Sequence, residues 1–150
     1  MQRARTLGSV ELPPIDQVGY VVRDLEATLA RYRNLFGPFT RMDSALSGVL
    51  YRGRPTDVHL ELAFGSVGNV EIEFIAVKSG ASPHREFLDA GREGIHHIRY
   101  RVPDCDATLA ALRGEGFEAI WYHDMGFAKF AYCEHHSRDG VLLELLQMAG

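Results

Sequence analysis

Four side chains of metal-ligand type stand where apolar residues are expected. Gln17 interrupts the run IDQVGYVV, Glu73 interrupts VEIEFIAV, His97 lies in IHHIRYRV and Glu144 in VLLELLQM. Runs so rich in Val, Ile, Leu and Tyr read as buried or half-buried strands. A carboxylate in the middle of such a strand costs on the order of several kcal/mol unless it is paired or bound to a cation. One imidazole nitrogen and three oxygens form a donor set of intermediate hardness that suits one divalent ion, and Zn, Ni, Co, Mn and Mg are all admitted. Coordination positions left to water are where a substrate oxygen would bind. Taken singly, each residue has a structural alternative, such as a hydrogen-bonded core histidine or an ion-paired glutamate at a strand edge. Their relation to one another is what gives the set its weight.

That relation is an internal repeat. Ala27-Thr28-Leu29-Ala30 recurs as Ala107-Thr108-Leu109-Ala110, an offset of 80 residues. The same offset carries Ile15 onto Ile95, Gln17 onto His97, Tyr20 onto Tyr100, Val22 onto Val102 and Asp24 onto Asp104. A second match, at an offset of 71, lays Glu73 over Glu144 within VEIEFI and VLLELL. Ligand-type residues therefore occupy repeat-related positions in both halves, and two halves packed side by side would bring all four to one centre.

The repeat also dictates the elements. Residues 15–22 and 95–102 read as strands, each followed by an Asp able to cap a helix (Asp24, Asp104) and by an amphipathic helix. Gly37-Pro38 ends the first helix and Gly114-Glu115-Gly116 the second. Further strands are predicted near 47–52 and 57–64, and near 118–123 and 127–134. The fold class is α+β: two βαβββ modules, residues 15–78 and 94–150, whose curved, partly open mixed sheet surrounds the metal site. Residues 79–93 form a linker with a short helix from Ser82-Pro83 to Gly91, and residues 1–14 read as a flexible N-terminal arm. Strand alternation puts Leu143 and Leu145 on one face, with Leu142, Glu144 and Leu146 on the other. It also predicts His96 beside Ile98 and Tyr100, with His97, Arg99 and Arg101 opposite.

Bulk properties exclude several classes. The net charge of −4 argues against general nucleic-acid binding. No run approaches the roughly 18 apolar residues of a membrane span. Cys105 and Cys133 show no CxxC spacing and read as reduced thiols, consistent with a cytoplasmic protein. Long strand edges predict a homodimer.

The motifs resemble a known family. Asp24-Leu25 before the first helix, Phe36-Gly37 after it, Gly94-Ile95-His96-His97-Ile98 with Tyr100 and Val102, and Gly140-Val141-Leu142-Leu143-Glu144-Leu145 are similar to the vicinal oxygen chelate superfamily. That superfamily includes glyoxalase I, methylmalonyl-CoA epimerase, extradiol dioxygenases and bleomycin-resistance proteins. The resemblance covers roughly residues 15–147. Ser82-Pro83, Phe87-Leu88 and Lys129-Phe130-Ala131-Tyr132 follow the epimerases most closely. Two positions depart from them. Gln17 stands where the epimerases have His, giving a ligand set like that of zinc-type glyoxalase I, and His135-His136-Ser137 replaces Pro-Lys-Ser.

The resemblance implies an isomerase, epimerase or lyase that abstracts a proton next to the carbonyl of a small-molecule substrate. A divalent metal would stabilise the enediolate. Glu144 is the expected base, with Glu73 as the other carboxylate; Glu61 is the nearest candidate for a second base. Arg99 and Arg101 are expected either to pair with an anionic substrate group or to sit at the rim, and Phe130 to line or support the cavity. The alternatives are a lactoylglutathione lyase and a non-catalytic drug-binding protein of the same fold. A ring-cleaving dioxygenase fits poorly, because its iron site needs two histidines and Gln17 removes one.

Overall fold

The protein is described by a computed structural model covering residues 5–8 and 10–149. Two short strands, β1 (Arg5–Leu7) and β2 (Val10–Leu12), precede the first module. That module runs β3 (Gln17–Val21), α1 (Leu25–Phe36), β4 (Thr40–Tyr51), β5 (Arg54–Val67) and β6 (Val70–Ser79). After the linker helix α2 (Pro83–Asp89), the second repeats the order: β7 (Gly94–Arg101), α3 (Cys105–Arg113), β8 (Phe117–Asp124), β9 (Ala128–His135) and β10 (Leu142–Met148).

The duplication extends to individual hydrogen bonds. Asp24 and Asp104 each accept the backbone N–H three residues on, at 3.0 Å in both helices. The Thr28 and Thr108 hydroxyls each donate to the capping residue's carbonyl, at 2.8 and 2.9 Å. Such caps satisfy N–H groups that the first helical turn leaves without partners.

The strands form one ring in the order β10-β7-β3-β6-β5-β4-β8-β9. Within each module the first and last strands pair in parallel, β3 with β6 and β7 with β10, while β3 and β7 meet antiparallel. The strands carrying Glu144, His97, Gln17 and Glu73 are thereby consecutive. The opening expected in the sheet is reduced to a seam between β4 and β8, closed by Leu50–Tyr122 and Tyr51–Trp121.

Side chains divide cleanly by face. Outside, α1 covers Ala63, Ile72 and Phe74, with Tyr20, Tyr32 and Phe39 around the Phe74 ring. Beneath α3, Leu109 and Leu112 pack on Ala131, Cys133 and Leu145. Each fully buried aliphatic side chain of this kind contributes about 1.5–3 kcal/mol. Inside the ring, Val21, Val49, Val58, Ile75, Ile120 and Trp121 form a separate core, to which α2 adds Phe87 and Leu88. Cys105 and Cys133 are free and buried, and burial pushes both thiols up to about 12, which makes them packing groups. Among the described residues no helix is long and apolar enough to cross a membrane.

Two expectations need correction. Residues 5–7 and 10–12, expected within a flexible arm, pair antiparallel as a ribbon. Leu12 is buried with Val102, Leu109 and Leu145, so the Val10-Glu11-Leu12 alternation sends one apolar side chain under α3. Residues 1–4 and 9 of the expected arm lie outside the described residues. The second correction concerns His96. The β3–β7 register shifts at Gly19/Tyr20, pairing Gly19 with His97 but Tyr20 with Ile95. His96 is the extra residue of this β-bulge. The shift breaks strict alternation, and His96 packs with His84, Phe87 and Tyr132, not beside Ile98 and Tyr100.

If the ribbon is docked, Leu12→Ala lowers the unfolding free energy by about 2 kcal/mol in urea denaturation. An unchanged midpoint would show that the segment is detached in solution.

Candidate metal centre

Four oxygen and nitrogen donors converge where the two modules meet. His97 Nε2 lies 3.2 Å from Gln17 Oε1, 3.2 Å from Glu73 Oε1 and 3.3 Å from Glu144 Oε1. Gln17 and His97 are fully buried, and the Glu144 side chain keeps 12% of its surface exposed. The convergence follows from the module symmetry. In the antiparallel β3–β7 pair, Gln17 lies opposite Arg99 and Gly19 opposite His97. In the flanking parallel pairs, Glu73 lies beside Gly19 and Glu144 beside Arg99. Each module thus contributes its first and last strands to one point.

These donors fit a cation. A single ring nitrogen carries at most one hydrogen, yet three oxygen acceptors surround this one. Two carboxylates brought together in a buried wall repel one another unless positive charge lies between them. Burial works against a charge on His97, but hydrogen bonds to Glu144 and Glu73 outweigh it and hold the imidazolium up to about 9. Burial also pushes Glu73 above the usual carboxylate range, although His97 opposes the shift. A divalent ion held by the same donors would supply that positive charge between the two carboxylates. Glu73, His97 and Glu144 form a group whose donor atoms all lie within 4.8 Å of one another.

The surrounding residues orient these donors. Gln17 Nε2 donates to Glu71 Oε1 at 2.7 Å, which turns its oxygen toward His97. Arg99 Nε donates to Asp16 Oδ1 at 2.9 Å, and its Nη2 lies 3.6 Å from Glu71 Oε1. Behind the centre, His97 Nδ1 faces His96 Nδ1 at 3.0 Å. The Tyr132 ring stacks on the His97 ring at 4.8 Å, and its hydroxyl lies 2.9 Å from His84 Nε2. Burial raises the Tyr132 pKa well above its ordinary value, and Glu144 and Glu73 add to the shift, so Tyr132 stays protonated. Burial pulls His84 down to about 3, so it stays neutral.

Gly19 makes the arrangement possible. A Cβ there would overlap the His97 ring. A glycine inside a strand is a recognised sign of close approach, and it is the signal in the sequence that pointed to this position without being used. His84, His96 and Tyr132 carried no comparable signal, because their roles depend on long-range packing and on the bulge.

The centre opens onto a cavity of about 370 Å³. Gln17, Glu73, Glu144 and Arg99 form its polar wall, and Leu60, Leu62, Ile75, Trp121 and Phe130 its apolar wall. Phe130 is among the residues lining it. Arg99 reaches the cavity but is held by Asp16 and Glu71. Arg101, at the exposed end of β7, is outside the lining. Glu61 is also outside it: Leu60 and Leu62 point inward, and Glu61 turns out to Lys78 at 2.9 Å. Period-two alternation alone accounts for that.

Gly19→Ala is expected to displace the His97 ring and lower stability by about 1–3 kcal/mol, with altered imidazole resonances for His97. Wild-type stability and resonances would mean that the ring does not lie over the strand.

The fold and the family profile agree. The chain matches the profile described as Glyoxalase/Bleomycin resistance protein/Dioxygenase superfamily over residues 16–133. It is 24% identical over 139 residues to the uncharacterized protein YqjC of Bacillus subtilis (strain 168), covering 91% of this chain and 93% of that one. Among solved structures, methylmalonyl-CoA epimerase from Mycobacterium tuberculosis superposes with a TM-score of 0.66 at 22% identity, covering 99% of this chain and 93% of that one. A variant of the Streptomyces coelicolor methylmalonyl-CoA epimerase, in complex with 2-nitronate-propionyl-CoA, gives 0.66 at 23% identity, covering 93% and 96%. At that identity the likeness is one of fold. The profile match spans most of the chain, and the protein belongs to the Glyoxalase/Bleomycin resistance protein/Dioxygenase superfamily.

Proposed function

We propose that this protein is a divalent-metal-dependent isomerase or epimerase, or a lyase, that removes a proton from the carbon next to a substrate carbonyl. The observation that carries the reading is the convergence of Gln17, Glu73 and Glu144 oxygens on His97 Nε2 in the wall of a substrate-sized cavity. The epimerase structures of the same fold support it.

In this reading Gln17, Glu73, His97 and Glu144 hold the ion. When bound, the ion supplies Lewis acidity that favours negative charge on the carbonyl oxygen. Glu144 is the base. Its side chain lines the cavity beside the His97 nitrogen, as the resemblance to the epimerases implies for the base. Glu73 and Glu144 come from strands on either side of the β3–β7 pair, so a carboxylate stands on each flank of the centre. That arrangement supplies the second proton-transfer group expected at Glu61, which faces away. Tyr132, kept protonated, offers a hydrogen bond and not a base. The apolar walls limit the access of water to the carbanion.

Metal-free protein titrated with Zn, Ni, Co, Mn and Mg is expected to take up one ion per chain, and Glu144→Gln to weaken uptake at least tenfold. Incubation with acyl-CoAs and with α-hydroxy and α-keto compounds in deuterated water is expected to show exchange of the α-hydrogen in one compound class. That exchange should fall about 10²–10⁴-fold in Glu144→Gln. Failure to bind any of these ions at a defined stoichiometry would overturn the reading. Metal and ligand binding without exchange in any compound would favour a non-catalytic binding protein.

A further inference from the structure

We propose that the cavity takes a neutral substrate with an alkyl or aryl body and rejects one bearing a second carboxylate, a selectivity that rests on the metal-dependent reading above. Three observations lead there.

The first is charge. Among the described residues lining the cavity, Arg99 is the only cation. Its Nε and Nη2 donate to the two Asp16 oxygens at 2.9 and 3.3 Å, and Glu71 lies 3.6 Å from Nη2. Glu71 also accepts from the Gln17 amide at 2.7 Å, so Arg99 serves to orient a metal ligand. Asp16, Glu71, Glu73 and Glu144 outnumber this one guanidinium so far that a divalent ion still leaves the cluster with a net negative charge. Away from the ion itself, an anionic substituent entering this pocket would meet repulsion and, among the described residues, no unpaired side-chain cation.

The second is the wall. Leu60, Leu62, Ile75, Trp121 and Phe130 line the interior, and Met42 and Phe127 reach its rim while 51% and 64% exposed. Apolar side chains over this part of the wall favour a body with little hydration to lose on entry. The third is the remaining polar capacity, which is uncharged. His84 lines the same cavity, and its Nδ1 is the one buried side-chain nitrogen or oxygen found without a hydrogen bond among the described residues. Burial keeps His84 neutral, so the ring adds polarity to the wall without adding charge.

The test uses two chelators with the same metal-binding head, benzohydroxamate and malonohydroxamate, titrated into Co(II)-loaded protein. Trp121 is the chain's single tryptophan and lines the cavity, so its emission reports occupancy. Benzohydroxamate is expected to bind at least tenfold more tightly. A parallel arm compares benzamide with malonamate in metal-free protein, where benzamide alone is expected to perturb Trp121. Equal or tighter binding of the malonyl compound, or no response to benzamide, overturns the proposal. Absence of Co(II) uptake with the benzamide preference intact overturns the metal-dependent reading and leaves the selectivity standing.

Discussion

Three oxygens, two of them from glutamates, face one imidazole nitrogen in a wall from which water is largely excluded. Everything else about this chain is organised to make that arrangement tolerable. The hydrophobic core alone would exclude Glu73, Gln17 and His97, all of which are buried. They are retained because each offsets the desolvation of another, through the proton that His97 carries or through a cation that replaces it. The module symmetry makes the meeting possible. Because β3 and β7 pair about a local two-fold, the first strand of each half faces its counterpart, and the last strands fall immediately outside.

Around that point the polar residues divide the labour. Arg99, Asp16 and Glu71 fix the direction of the Gln17 oxygen, and His96 sits against the far nitrogen of His97. Tyr132 covers the His97 ring face and leans on neutral His84. Outer partners of this kind set ligand orientation and basicity as much as the ligands do. Helices α1 and α3 add no residue to the cavity lining. They bury the outward faces of the strands, and by doing so they hold the inward faces in register.

Much of this was legible in the sequence because duplication leaves a signature that needs no alignment. The shared Ala-Thr-Leu-Ala segment set the offset, and the offset identified Gln17 with His97. The matched strands then identified Glu73 with Glu144. The Asp caps and the linker helix follow from local chemistry and lie where the local sequence predicts. What was not legible depends on parity and on distant partners. One extra residue in β7 turned His96 inward, and period-two reasoning has no means of anticipating a bulge. Glu61 looked available from its position near the first module's ligand strand, but its neighbours Leu60 and Leu62 claim the inner face. Arg99 lies on the predicted face, yet Asp16 and Glu71 occupy it, which nothing in its own strand reveals. The ribbon at the N-terminus was hidden because its one buried anchor, Leu12, packs on residues some ninety positions away or more.

The most direct measurement is a crystal structure of Ni(II)- or Zn(II)-loaded protein with anomalous data collected at the metal edge. The account predicts one peak per chain, bonded at about 2.0–2.2 Å to His97 Nε2 and to oxygens of Gln17, Glu73 and Glu144, with open positions toward the cavity. An ion bound elsewhere, or a loaded crystal in which His97 Nε2 still bonds directly to the two glutamates, would contradict it.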